Sequence, residues 1–179
     1  MKIKPEIIML EELALINNLD IQTWVLKTLN QVPLNFWSVP ASSSGKFHPA
    51  CSNGPGGLVV HTKRVVWLAD QICAAWGIFA QERDIILAAC ILHDVGKAEP
   101  TYPQNAGEHP LQVEKYLFNG GGEEWQELIK SCIEFHMGRW TPRQIAKPIS
   151  EYTLLELAVY TADYLSSRKE LSTPKDKRR

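Results

Sequence analysis

Apolar residues recur at three- and four-residue intervals along most of the chain, and strict alternation of apolar with polar residues is nearly absent. That period predicts helices throughout and an all-α bundle. Pro5 suits the first turn of a helix over residues 6–17, and Asp20 is placed to cap a second over 21–31, which Pro33 ends. A third is predicted over 58–76 with Gly77 as its stop, and a fourth over 81–93. Pro110 opens a short helix over 111–118. Gly120-Gly121-Gly122 breaks it before the stripe Trp125, Leu128, Ile129, Cys132 and Ile133, which marks a helix over 123–136. Thr153 and Glu156 have the spacing of a capping box, starting a last helix that carries Asp163.

Between these helices, residues 33–57 are rich in Pro, Ser and Gly and predict an irregular loop of unusual length, a candidate lid. Residues 1–32 read as an N-terminal helical extension, and the basic, proline-broken stretch 169–179 as a disordered tail. At 179 residues the whole is expected to be one domain. A formal charge of −1 argues against a protein built to coat long duplex nucleic acid. Cys51, Cys73, Cys90 and Cys132 form no CxxC pair and read as small buried thiols in a reducing, cytoplasmic setting. No apolar run of about 18 residues is present, so no membrane span is expected.

The chemistry gathers around one dyad. His93-Asp94 closes the apolar run 85–92, and His61, His109, His136 and Asp163 are spaced around it. Each alone reads more simply as a core or capping residue. Together they form a mixed set of imidazoles and carboxylates, which suits Zn, Fe, Mn, Co or Ni better than Ca or Mg. Asp94 has two oxygens and could bridge two ions about 3.5–4 Å apart. Asp163 lies in an apolar stretch where an unpaired charge would cost several kcal/mol, so it requires a partner, either a metal or a buried cation.

These residues resemble a known family. His61, His93-Asp94 and Asp163 match the H…HD…D signature of the HD-domain metal-dependent phosphohydrolases, over roughly residues 56–168. His109 and His136 stand where the two-metal subset has its further ligands. Gly-Gly-Leu-Val-Val-His61-Thr with the HDVGK segment is similar to the HD domain of YhaM-type 3′→5′ exoribonucleases. Leu-His93-Asp94, His109-Pro, Glu-Phe-His136-Met-Gly and Ala162-Asp163-Tyr are also like the HD-type hydrolases of diadenosine tetraphosphate.

The resemblance implies an HD-domain bundle over 58–168 with its metal site between helices. It assigns one ion to His61, His93, Asp94 and Asp163, and another to Asp94, His109 and His136. It implies hydrolysis of a phosphoester or phosphoanhydride by a hydroxide shared between the ions. Asp94 is then catalytic, and Lys97, at the motif position, contacts phosphate and neutralises developing charge. Lys97 is otherwise a solvated surface lysine. Gly96 is expected to allow a positive φ beside it.

Arg64, one turn beyond His61, and Arg139, Trp140 and Arg143 after His136 are candidates to bind phosphate and stack on a base, or else simply to pack. Ser44, Lys46 and His48 offer loop donors, with His48 read as a surface residue. The GYP motif of cyclic-di-GMP hydrolases is absent, and so is the nucleic-acid-binding domain of YhaM-type enzymes. The expected substrate is therefore a small nucleotide. A phosphodiesterase or 3′→5′ exonuclease on short or cyclic oligonucleotides is the enzymatic alternative, and a nucleotide sensor the non-catalytic one. HExxH and GxSxG, the marks of metallopeptidases and ester hydrolases, are lacking.

Overall fold

The computed structural model describes residues 4–42, 45–46, 48–99, 104 and 106–176. Among them the regular elements are helices and 3-10 turns, with no strand. The fold is all-α. Eight α-helical segments are described: α1 (Pro5–Ile8), α2 (Leu10–Leu13), α3 (Leu19–Leu29), α4 (Gly57–Trp76), α5 (Ala80–Leu92), α6 (His109–Gln112), α7 (Glu124–Phe135) and α8 (Leu154–Ser166).

The apolar run 85–92 puts α5 at the centre. Every residue from 84 to 98 is buried, as a helix apolar on all sides must be. Helices α4, α7 and α8 pack around α5 and on one another, and α3 covers a further side. Ile86, Leu87 and Ile91, at 1% exposure or less, each contribute about 1.5–3 kcal/mol by leaving water. Trp24 of α3 meets Trp125 of α7 edge to face at 5.5 Å, and its indole N–H donates to the Phe118 carbonyl at 2.9 Å.

Local chemistry sets the helix ends. Gly77, in the left-handed region at φ 70°, stops α4 and returns its N–H to Cys73. The Thr153–Glu156 capping box forms in both directions, at 3.2 and 2.7 Å. Glu156 also accepts from Ser131 of α7 and from Lys147, which fixes the start of the helix that carries Asp163. The cap of α3 is Asn18 rather than Asp20. The Asn18 side chain accepts from the N–H groups of Asp20 and Ile21, leaving Asp20 inside the first turn, where its charge favours the dipole. The helix expected over 6–17 is two short segments broken at Met9, which turns into the core with Leu13 and Ile16. The helix expected over 111–118 begins at His109, and from Val113 it tightens into a 3-10 turn.

Residues 33–57 contain the 3-10 turns Leu34–Trp37 and Ala50–Ser52 and bury Phe36 and Trp37. The segment is tied to the turn after α5: Asn35 Nδ2 donates to the Ala98 carbonyl at 2.8 Å, and Lys97 Nζ to the Ala41 carbonyl at 3.1 Å. Ser44 lies outside the described residues.

The tail departs from the expectation of disorder as far as Asp176, because Arg64 holds it. The Arg64 side chain, 0% exposed, donates through Nε to the Ser166 carbonyl at 3.2 Å and through Nη2 to the Leu171 carbonyl at 2.8 Å. Its Nη1 pairs with Asp176 and reaches Thr173. Lys175 adds ion pairs to Glu11 and Glu12 of α2. Residues 177–179 lie outside the described residues. Replacing Arg64 removes several hydrogen bonds to one charged group, at roughly 1.5–3 kcal/mol for a charged bond. Arg64→Met should lower Tm by about 4–10 °C. It should also raise hydrogen exchange selectively over 167–176, read by mass spectrometry.

Candidate metal centre

Four histidines reach one place, each for a local reason. His93 closes α5 and His136 closes α7, where the last carbonyls of a helix lack helical partners. Both imidazoles turn back onto the carbonyl three residues earlier. Nδ1 of His93 lies 2.8 Å from the Cys90 oxygen, and Nδ1 of His136 lies 2.6 Å from the Ile133 oxygen. His109, after the 3-10 turn Ala106–Glu108, does the same with Ala106 at 2.6 Å. A carbonyl only accepts, so each Nδ1 carries the proton and each Nε2 keeps a free lone pair.

His61, inside α4, is set by a side chain instead. Its Nδ1 lies 3.0 Å from Ser166 Oγ, whose proton goes to the Asp163 carbonyl at 2.9 Å. The hydroxyl therefore accepts from His61 Nδ1–H, and this Nε2 is free as well.

All four Nε2 atoms turn toward Asp94. Oδ2 lies 3.2 Å from His93 and 3.5 Å from His61; Oδ1 lies 2.9 Å from His109 and 3.8 Å from His136. Asp163 Oδ1 joins the first pair, 3.0 Å from His61 Nε2. The imidazoles face each other at 3.3 Å (His61, His93) and 3.1 Å (His109, His136). In the neutral tautomers these are lone pairs opposed to lone pairs, and Asp94 Oδ1 is buried without a donor. Divalent metal at these donors would resolve both conflicts. The two groups His61–His93–Asp94 and Asp94–His109–His136 each bring three ligand atoms within 4.8 Å of one another, which fits divalent metal binding.

The charge states agree with that fit. Burial pushes His61 down, and it pushes His136 down to about 3, so both imidazoles are neutral. Burial works to raise the Asp94 carboxyl, but the charges of His93 and Lys97 beside it hold it well below the usual range. Asp163 is likewise lowered against burial, chiefly by His61, whose Nε2 is 3.0 Å from its carboxylate. His93 rises despite burial because it stands between Asp94 and Asp163, and the same negative potential favours a cation at its Nε2. Neutral His61 and His136 beside ionised Asp94 and Asp163 are in the state metals require, and His93 would yield its proton to a bound cation.

Lys97 is buried, with Nζ donating to Asp94 Oδ2 at 2.7 Å. Gly96 does not have the positive φ expected of it. Its constraint is space: a Cβ there would run into the His109 carbonyl, so the turn Val95–Ala98 can close on α6 only through a glycine.

A cavity of about 560 Å³ opens on the cluster. It is lined by Lys97, His109, His136 and Asp163, by Met137, Arg139 and Trp140 after α7, and by Tyr160, Tyr164, Ser167 and Arg168 on and just after α8. Arg139 stacks on Trp140 and Arg168 on Tyr164, at 4.8 and 4.5 Å. Of the residues expected to bind substrate, Lys97, Arg139 and Trp140 line this cavity. Arg143 is exposed outside it, and Arg64, although on the His61 face, points away into the tail.

His48, read as a surface residue, stands at the cavity with its ring 4.9 Å from that of His61, its pKa lowered to about 3 chiefly by burial. Nothing in its sequence context signalled this. Tyr160, Tyr164 and Ser167 were missed too; spacing of −3 and +4 puts Tyr160 and Ser167 on the Asp163 face of α8 and its cap, whereas Tyr164, at +1, is not placed there by spacing.

A family model described as HD domain matches residues 58–168, more than half of the chain. The chain belongs to the HD-domain family. No curated protein and no solved structure matches it. The HD domain here accounts for α4 through α8 and all six residues of the cluster, and HD domains are metal-dependent hydrolases, so the chain is a phosphohydrolase of that general kind. No helix among the described residues is long and apolar enough to cross a membrane.

Two substitutions test this geometry. Ser166→Ala frees His61 Nδ1 and should weaken metal binding about 10–100-fold, measured by competition with a chromophoric chelator, while Tm of the chelated protein stays within a few degrees. Gly96→Ala should cost about 1–3 kcal/mol in denaturant unfolding, through the forced separation of the turn from α6.

Proposed function

We propose that this HD domain is a two-metal phosphohydrolase acting on a small nucleotide. The observation that carries the reading is the shared carboxylate: each Asp94 oxygen faces its own pair of Nε2 lone pairs, beside a cavity. In this reading His61, His93, Asp94 and Asp163 hold one ion, and Asp94, His109 and His136 the other. Fe, Mn, Co, Ni and Zn all suit such donors. Bound there, two ions supply Lewis acidity, making water nucleophilic near neutral pH and neutralising the phosphoryl oxygens.

The chain's own residues do the rest. Lys97 fixes Asp94 Oδ2 and presents its ammonium to the cavity, where it meets charge developing on the phosphoryl group. Trp140, 66% exposed, offers a face for a base, and Arg139 backs it. The cavity volume is that of a small-ligand site, and buried donors line it. His48 lines the cavity with its ring beside His61, so the described residues around it cover one side of the site. Four cysteine thiols, three of them buried, accord with a reducing cytoplasm.

The open rim at Trp140 also favours a second reading, cleavage of short oligonucleotides by the same centre, as the motif likeness to YhaM-type enzymes suggests. Likeness to the diadenosine tetraphosphate hydrolases points instead to an anhydride. The test is a hydrolysis panel from dAMP and dATP through diadenosine tetraphosphate to dinucleotides, with Mn²⁺, Co²⁺, Ni²⁺ or Fe²⁺ supplied. Turnover of one class is expected, falling by roughly 10²-fold or more in Asp94→Asn with the helical circular dichroism retained. Nucleotide binding without turnover under any metal would instead make the protein a sensor.

A further inference from the structure

The cluster accounts for one phosphoryl group, yet cationic side chains continue beyond it. Lys97, Arg139 and Arg168 line the cavity against the single carboxylate of Asp163. Among the described residues no carboxylate lies within 4.0 Å of Arg139 or Arg168, whereas Arg64 and Arg83 are both paired. Two unpaired guanidinium groups on one cavity are an electrostatic surplus of the sign that attracts anions.

Arg168 is the more constrained. Its guanidinium lies on the Tyr164 ring at 4.5 Å, and Nη2 donates to Ser167 Oγ at 3.0 Å. Its Nε is buried and has no hydrogen-bond partner. A buried, unsatisfied N–H on a fixed guanidinium costs free energy unless an acceptor arrives, and the planar fork matches a phosphate. The place follows from the helix. Asp163 belongs to the metal cluster and Arg168 comes five residues later, past the end of α8, about 7 Å farther along its axis at 1.5 Å per residue. A substrate with its reacting phosphate at the cluster meets Arg168 with whatever it carries next.

We infer that Arg168, stacked on Tyr164, forms a second phosphate subsite, so that the preferred substrate carries a phosphate adjoining the one attacked: a nucleoside diphosphate or larger polyphosphate rather than a monophosphate. This rests on the nucleotide phosphohydrolase reading and narrows it.

Isothermal titration of the Mn²⁺-loaded protein with non-hydrolysable probes tests the subsite directly. Methylenebisphosphonate is compared with methylphosphonate, and α,β-methylene-ADP with the 5′-phosphonate analogue of AMP. Each two-phosphorus probe should bind about tenfold or more tighter than its partner. Arg168→Gln should remove most of that difference while leaving the one-phosphorus probes unchanged, and Arg168→Lys should restore only part of it, because the ammonium lacks the fork. Among the described residues the Arg168 side chain hydrogen-bonds Ser167 and stacks on Tyr164, both near the surface, so Tm is expected to shift by no more than a few degrees in either variant.

Equal binding within each pair, an equal loss for both members in Arg168→Gln, or no binding of either bisphosphonate would overturn the subsite. If the bisphosphonate preference holds and depends on Arg168 but adenosine adds no affinity, the subsite stands and the nucleotide reading falls.

Discussion

Four imidazoles with their Nδ1 protons already committed have only lone pairs left to turn inward, and the Asp94 carboxylate lies between them. The arrangement is cheap to build. Three of the four acceptors are carbonyls three residues before the histidine, two of them in the last turn of a helix, where carbonyls lack the regular helical partner. The same bond that finishes the helix sets the tautomer and aims the ring. Without a cation the result is a buried group of acceptors facing acceptors, a local cost that the surrounding core must sustain.

The core is shaped to sustain it. Helix α5, buried on all sides, delivers His93-Asp94 to the middle of the bundle, and Gly96 lets the following turn close against His109. On the far side, α8 is held at its start by the Glu156 network and at its end by Arg64, which grips the Ser166 carbonyl and the tail beyond it. Ser166 is thus bonded twice, through its carbonyl to Arg64 and through its hydroxyl to His61. The segment after α8 serves as a brace for the first histidine.

The parts of this plan set by local pattern could be read from the sequence. The long periodic helices appear within a residue or two, the Thr153–Glu156 box forms, and the six candidate ligands converge. What depended on distant partners could not be read. Arg64 was placed on the right face, but its partners lie more than 100 residues away, and a basic tail with a proline gives no sign that Asp176 and Thr173 will meet it. Gly96 signalled a special backbone, yet the need was room for the His109 carbonyl, a tertiary fact. His48 entered from an irregular loop with no period to follow. Tyr160 was within reach, since its spacing of three residues from Asp163 already put it on that face, whereas Tyr164, the next residue after Asp163, was not.

Asp94 stands between two donor sets, and anomalous diffraction from crystals grown with Mn²⁺ reads the metal on each side. Two peaks about 3.5–4 Å apart are expected, one on each side of Asp94. One should be bound by Nε2 of His61 and His93, the other by Nε2 of His109 and His136. A single peak, coordination through Nδ1, or metal bound only away from Asp94 would contradict that arrangement.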